Sequence, residues 1–373
     1  MEAKAKKKDK KEMRSGYTTG ACATATTKAA LVALITKEKQ LDATIYLPVG
    51  KFATFEMDSC DIGSDFAEAG TIKDAGDDPD ATHGALIIAR VSWSKEPGIN
   101  LDGGIGVGRV TKEGLPVSVG EAAINPVPRK MICETAEEVL HSYGIERGIS
   151  IIISVPEGEK IAEKTLNKRL GIIGGISILG TRGTVIPFSS SAYMASIVQA
   201  ISVARASGCR HVVISTGGRS EKYGIMQYPE LPEEAFIEMG DFVGFTLKQC
   251  KKQGIEKVSL VGMMGKFSKV AQGVMMVHSK SAPVDFNFLA NVARDAGVTE
   301  QNLINEVRGA NTASQVGDIM LDHGYVEFFS ILCNYCCAAG LKEVGGGISI
   351  ETSLYSMKGA FLGKAGKDDR TEN

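Results

Sequence analysis

Tryptophan occurs once in this chain, and all aromatic residues together make up 6% of it. They are not interleaved with basic residues, so the aromatic–cation platforms that grip single-stranded nucleic acid have no basis here. A net charge of −2 gives no global electrostatic case for nucleic acid either. No run approaches 18 uninterrupted apolar residues, so no membrane-spanning helix is expected. Lys4, Lys6, Lys7, Lys8, Lys10, Lys11 and Arg14 are followed by no apolar stretch, so the leader does not read as a secretory signal. Residues 1–13 read instead as a disordered basic tail, and the polar residues 361–373 as a flexible one. The eight cysteines are scattered, which fits reduced thiols and a cytoplasmic protein better than a disulfide framework. Cys333 and Cys336 have C-x-x-C spacing, but they fall in a helical stretch from Glu327 to Ala339 with no second such pair and no histidine nearby. Structural zinc needs four ligands, so these read as buried helical cysteines and no metal site is expected.

What the chain has in quantity is glycine, 43 residues, which points to many turns or close backbone approaches. A length of 373 residues suggests two or three domains. The opening stretch Gly16-Tyr17-Thr18-Thr19-Gly20 leads into a helix of very small residues, with Ala21, Ala25, Ala29 and Ala33 on one stripe. Thr18 or Thr19 can cap it. Its N-terminus could present N–H groups and hydroxyls to an anionic ligand, or it could be a packed core helix with an ordinary cap. Strands follow at Ala43–Pro48, Lys51–Met57 and Gly84–Ser92. Between the last two, Asp74, Asp77, Asp78 and Asp80 flank a Gly and a Pro ahead of His83. Three readings stay open: an oxygen-ligated cation, a proton-handling couple of Asp80 and His83, or aspartates that bond only to backbone in a turn.

Gly103-Gly104-Ile105-Gly106-Val107-Gly108-Arg109 is a second glycine-rich segment, whose spacing is not that of a dinucleotide loop and whose flanks suit close approach of a flat ligand. Asn125-Pro126-Val127-Pro128-Arg129-Lys130 opens a helix to about His141, and basic residues there oppose the helix dipole, suggesting an anion-binding role. Gly148–Val155 reads as a buried strand. A third glycine-rich loop runs from Gly171 to Gly183.

The second half alternates. Strands at Arg210–Ser215 and Lys257–Val261 each end in a glycine turn, Thr216-Gly217-Gly218 and Gly262-Met263-Met264-Gly265-Lys266, and a helix follows each. That is the βαβ pattern, in which ligands sit outside the carboxyl ends of the strands. Pro232–Gln253 reads as one helix, four more helices are expected between 285 and 339, and Gly347–Ser353 as a late strand. The fold class is α/β: an α+β domain over 14–187 and a Rossmann-like α/β domain over 188–360.

Several of these segments together resemble the CbiD family. They are Gly-Tyr-Thr-Thr-Gly with its Cys and Ala-rich helix, the aspartate run through Thr82-His83-Gly84, Gly106-Val-Gly-Arg-Val-Thr-Lys112, Asn125-Pro-Val-Pro-Arg-Lys-Met-Ile132, Gly174–Thr181, Gly262–Lys266 and His278-Ser279-Lys280. The likeness covers roughly residues 14–360. It implies methylation of C-1 of cobalt-precorrin-5B to cobalt-precorrin-6A with S-adenosyl-L-methionine, in anaerobic cobalamin biosynthesis, with cobalt only as part of the substrate. A flat, carboxylate-rich tetrapyrrole needs open grooves and basic forks on its rim. On that footing the first half is expected to hold the substrate through Tyr17, Thr18, Thr19, Asp77, Asp78, Gly104, Gly106, Arg109, Asn125, Arg129, Lys130 and Thr181, with Arg182 nearby. His83 with Asp80 is expected to handle protons, His278 being the alternative, or His83 instead approaches the cobalt axially. The second half is expected to hold S-adenosylmethionine through Thr216, Gly217, Gly218, Glu221, Gly262, Gly265, Lys266, His278 and Ser279, with Glu221 or Asp241 on the ribose. No nucleic acid or membrane partner is expected, and a homo-oligomer is compatible with the sequence. Two other functions compete: a non-catalytic corrinoid or cobalt carrier, and a magnesium-dependent phosphate-ester enzyme, the latter without a full Walker A loop.

Overall fold

The computed structural model describes residues 13–278 and 281–370. The predicted basic tail, Met13 apart, and Ser279 lie outside them. The fold is α/β, and the chain divides into two compact units, Met1–Ser190 and Ser191–Asn373.

The first unit is built on the alanine-rich helix, Thr19–Thr36. Ala21, Ala25, Ala29 and Ala33 are fully buried, and so are Thr24, Thr26 and Thr27. Those threonine hydroxyls donate back to the carbonyls of Gly20, Cys22 and Ala23, which lets a polar side chain sit in a core helix without an orphaned group. Small side chains let the helix lie close to the strands Phe66–Ile72 and Leu86–Trp93 and to the helix Pro126–Ser142. A Cβ on Gly20 would come within 2.6 Å of the Pro128 ring. By length and composition alone this helix could cross a membrane; here most of it is enclosed by protein.

The five-stranded sheet beneath it runs Ser59–Ile62, Phe66–Ile72, Leu86–Trp93, Ile149–Ser154, Ile99–Gly103. All neighbours are antiparallel except the last pair. Ile149, Ile151 and Ile153 are fully buried. The Ser59–Ile62 strand is only four residues long and the Phe66–Ile72 strand carries two alanines and a glycine, so neither shows a clear strand signal in sequence. Asp42–Leu47 and Lys51–Glu56, both anticipated as strands, pair antiparallel as a hairpin.

In the second unit the sheet order is Phe236–Glu238, His211–Ser215, Lys257–Met263, Ser349–Tyr355, Phe361–Asp368. The first four strands are parallel and the last is antiparallel. In chain order this is 2-1-3-4-5, the doubly wound arrangement whose switch point falls between the His211–Ser215 and Lys257–Met263 strands. Val213 and Val261 pack on one face, and Val212, Ile214, Val258 and Leu260 pack on the other, beneath the larger set of helices.

Two expectations are corrected here. Pro232–Gln253 is not one helix: it breaks into a 3-10 turn, the Phe236–Glu238 strand and a helix at Val243–Lys252. The vacant edge beside His211–Ser215 captures Phe236 and Ile237, and Gly240 at φ +57° turns the chain out of the strand. Residues 361–373 are not a flexible tail as a whole, since Phe361–Asp368 pairs along the length of Ser349–Tyr355. Its glycines and lysines disguised an edge strand, where lysine guards the open side and Gly363 lets the backbone lie against Phe329.

Candidate functional site

In the second unit the two glycine turns stand side by side at the switch point. Thr216, Gly217, Gly218 and Ser220 follow one strand, and Met263, Gly265 and Lys266 end the other and begin its helix. Together with Arg219, Ser314 and Met357 they line a cavity of about 410 Å³, within the range of small-molecule sites. A Cβ on Gly218 or Gly265 would meet nothing within 4 Å, so the bare backbone faces open space at both turns. The first turn is held from behind. The Thr216 N–H donates to Ser220 Oγ at 3.2 Å, and that hydroxyl donates to the Gly217 carbonyl at 2.9 Å. The Lys266 ammonium lies 3.0 Å from Asp241 and donates to the Thr216 carbonyl at 3.4 Å. Glu221 is half-buried in the first turn of the following helix.

Gly262 behaves differently. A Cβ there would strike the Phe267 ring at 2.0 Å, so this glycine serves packing. His278 is exposed, outside the cavity lining, and its carbonyl accepts from the buried Lys269. Arg219, Ser220, Met263, Ser314 and Met357 are lining residues outside the expected set. Ser314 and Met357 come from distant segments without a motif, which only the folded chain brings to the turns.

In the first unit the glycine-rich segments close on each other. A Cβ on Gly106, at φ +70°, would sit 1.8 Å from the Val155 carbonyl oxygen, and one on Gly175 would sit 2.1 Å from that of Gly106. A Cβ on Gly104 would meet Ser154 Oγ at 2.4 Å. Gly106-Val107 and Gly175-Ile176 pair as short parallel strands. The close approach expected of a flat ligand at Gly104 and Gly106 is therefore made by the protein's own chain.

The start of the alanine-rich helix is likewise closed, so it is not the anion site that its cap allowed. Thr18 caps it by accepting from the Ala21 N–H at 3.2 Å. The Thr18 and Gly20 N–H groups go to the Gly183 and Leu179 carbonyls. Thr19 Oγ1 accepts from the Leu179 N–H at 2.9 Å and lies within donor reach of the Ser177 and Leu179 carbonyls. Both threonines are buried. Tyr17 is half-buried with its ring 4.6 Å from that of Phe55. Asn125 precedes the second helix without capping it, and its N–H goes to the Ile178 carbonyl. Thr181 and Arg182 are exposed.

The aspartate run is a staple. Asp74 pairs with the Arg14 guanidinium and accepts from the Gly76 N–H. The Arg14 hydrogen bond, more than any other contact, holds its pKa down to about 2. Asp77 accepts from the Arg14 N–H and Asp78 from the Phe188 N–H, both at 2.8 Å. Asp80 receives Lys73 Nζ at 2.7 Å and both the N–H and hydroxyl of Thr82. Burial pushes Asp80 upward, but the Lys73 charge and these bonds outweigh it and leave its pKa lowered. Lys73 is 1% exposed and was missed altogether.

The Asp80–His83 couple is a correction. Their link is a backbone bond, the His83 N–H to the Asp80 carbonyl at 3.0 Å. The imidazole instead accepts the Ala75 N–H at Nδ1, 3.1 Å away, with Asp74 at 3.9 Å. With Nδ1 engaged, neutral His83 carries its proton on Nε2, which then offers a donor and has no lone pair for a metal or a proton. Among the described residues no group of three or more His, Cys, Asp or Glu is gathered for a metal ion.

Beside this staple lies a cavity of about 580 Å³ lined by Tyr17, Cys22, Phe55 and Thr71, with Glu56, Asp58 and Asp74 as its charged groups. Burial raises the Cys22 thiol to about 12, so it is inert there. The basic residues expected on a rim are mostly engaged. Arg109 forks onto Asp102, at 2.7 and 2.8 Å. Arg129 donates to the Leu101 carbonyl at 3.3 Å, and Lys130 lies 3.6 Å from Glu134, one turn along the same helix.

Residues 6–187 match the family model described as CbiD, and residues 276–366 match CbiD, C-terminal domain. A protein of Priestia megaterium named Cobalt-precorrin-5B C(1)-methyltransferase is 69% identical over 96% of this chain and 97% of its own length. One of the same name from Geobacillus sp. (strain WCH70) is 69% identical over 96% and 98%. A crystal structure of cobalamin biosynthesis protein (cbiD) from Archaeoglobus fulgidus shares 29% identity over 68% of this chain and 78% of that one, with a TM-score of 0.39. This chain belongs to the CbiD family.

Proposed function

We propose that this chain transfers a methyl group from S-adenosyl-L-methionine to C-1 of cobalt-precorrin-5B, giving cobalt-precorrin-6A in anaerobic cobalamin biosynthesis. The observation that carries this reading is near full-length identity of 69% to proteins named for that reaction. Eight free cysteines suit a reducing compartment, the cytoplasm.

The second unit is the place for the methyl donor. Its cavity fits: bare backbone at Gly218 and Gly265, apolar walls from Met263 and Met357, and one ammonium at Lys266. The bound donor supplies a sulfonium methyl already activated for transfer, so the chain's task is alignment and exclusion of water. Thr216, Gly217 and Gly218 would take the nucleoside end. Lys266 would face the methionine carboxylate, and its pairing with Asp241 sets where the ammonium stands.

The first unit is the place for the tetrapyrrole. Carboxylate arms are repelled by Glu56, Asp58 and Asp74, so they would be met outside that cavity by exposed cations such as Lys130 and Arg182. His83 would act as a donor from Nε2 to an oxygen on the substrate, with Tyr17 against the macrocycle.

Incubating the full chain with cobalt-precorrin-5B and methyl-labelled S-adenosylmethionine, followed by mass spectrometry, tests the whole reading. The expected product gains one labelled methyl with no other cofactor. Corrinoid binding without any methyl gain would instead identify a carrier.

A further inference from the structure

In doubly wound nucleotide folds, the carboxylate at the end of the second strand, about 20 residues past the glycine turn, accepts the ribose hydroxyls. The sequence puts forward Glu221 and Asp241 for that task, but the folded chain brings a different acid to the turn. Asp241 is engaged by Lys266 at 3.0 Å, and Glu221 lies on the helix after the turn, off the end of any strand.

Glu238 is the last residue of the Phe236–Glu238 strand and the register partner of Ser215, just before Thr216-Gly217-Gly218. Its carboxylate reaches the turn: a Cβ on Gly217 would lie 3.8 Å from Glu238 Oε1, the nearest atom it would meet. Behind it, Tyr193 lies beside Glu238: burial, and then the Glu238 charge, raise its pKa. That ring is fixed by stacking on Phe242 at 5.6 Å and by Gly240, whose missing Cβ leaves room for it at 3.0 Å. A carboxylate offers about four lone-pair directions. With one of them turned to Tyr193, acceptors remain for a second pair of donors beside the Gly217 turn, next to the residues that line the cavity.

We infer that Glu238 accepts the 2′- and 3′-hydroxyls of a ribosyl ligand in this cavity, with Tyr193 as the positioning residue that orients the carboxylate. This rests on the reading of the cavity as the S-adenosylmethionine site. It assigns the ribose end of the ligand to the Gly217 side and leaves Lys266, across the second turn, for the opposite end.

Calorimetric binding of S-adenosylhomocysteine and its 2′-deoxy analogue to the full chain tests it. The unaltered chain should prefer the ribo form by about tenfold or more, the usual weight of a hydrogen bond to a charged acceptor. Glu238→Leu should lose that preference and bind S-adenosylhomocysteine about tenfold more weakly, and Tyr193→Phe should reduce the preference part-way while leaving affinity for the 2′-deoxy analogue unchanged. If Glu238→Leu does not fold, Glu238→Gln serves, with a smaller loss of preference expected. A folded variant with full affinity and full ribo preference overturns the assignment, as does an unaltered chain that binds the two ligands equally. An unaltered chain that binds neither overturns the site reading itself and the assignment with it.

Discussion

Position 73 buries a lysine to 1% exposure, and Asp80 makes that tolerable. In sequence Lys73 looked like any surface lysine. It is buried because its own backbone is pinned on both sides, its N–H to the Ala85 carbonyl and its carbonyl to the Gly84 N–H. The sequence allows a couple of Asp80 and His83, and the family resemblance favours it, yet the turn between them joins their backbones and sends the two side chains to different partners. Asp80→Ala should lower stability by about 3–5 kcal/mol, because it strands a buried charge. A Lys73→Met/Asp80→Leu double variant should recover much of that loss. Urea denaturation of the three proteins checks this, and a single-variant loss below about 1 kcal/mol would contradict it.

At the scale of elements, glycine was the strongest signal and the most ambiguous. The Gly106 and Gly218 loops look alike as sequence. One is filled by the carbonyls of Val155 and the backbone of Gly158; the other faces a cavity. Gly106→Ala combines a positive φ with a backbone clash and should destabilise the first unit by more than about 3 kcal/mol. Gly218→Ala should leave stability within about 1 kcal/mol, and should weaken S-adenosylhomocysteine binding. Thermal melts with and without that ligand separate the two effects. Equal damage from both substitutions would show that the second turn is packing too. Strands with strong isoleucine runs were legible, as at Ile149–Ser154. Strands of mixed composition were not, because a neighbouring edge rather than local propensity makes them strands.

For the whole molecule, the ionisable groups shifted within both units make it acid-labile. Across the second sheet, His211 Nε2 meets Ser259 Oγ at 2.8 Å, and that hydroxyl reaches Glu351 at 3.1 Å. Glu351 also takes Tyr228 and, at 3.0 Å, Lys364. Burial would raise Glu351, but the Tyr228 and Lys364 hydrogen bonds and the charges of Lys257 and Lys364 hold it at about 2. Burial, helped by Lys257, lowers His211 to about 4. Both shifts are downward, so both groups bind protons more readily when unfolded. The His211 contribution is complete above the unfolded value of about 6.5 and fades toward pH 4; that of Glu351 is complete above about 4.3 and fades toward pH 2. Asp74 and Asp80 act the same way in the first unit. The melting temperature should fall steadily from about pH 6.5 downward, and Glu351→Gln should flatten the lower part of that fall. A melting temperature that rises between pH 7 and pH 5 would contradict this.

The amino-acid sequence by itself determined the class of fold, the buried alanine helix, both glycine turns of the second unit and, through ordered motifs along nearly the whole chain, the family. Those rest on short-range periodicity and on residue types that fix backbone geometry, and both are local. Tertiary structure decided which glycines face an open cavity and which face a carbonyl, that the aspartate run is a staple, that His83 Nδ1 takes the Ala75 N–H, and that Glu238 reaches the first turn. Each of these depends on what a distant segment brings to within hydrogen-bond or van der Waals distance, which no spacing along the chain specifies.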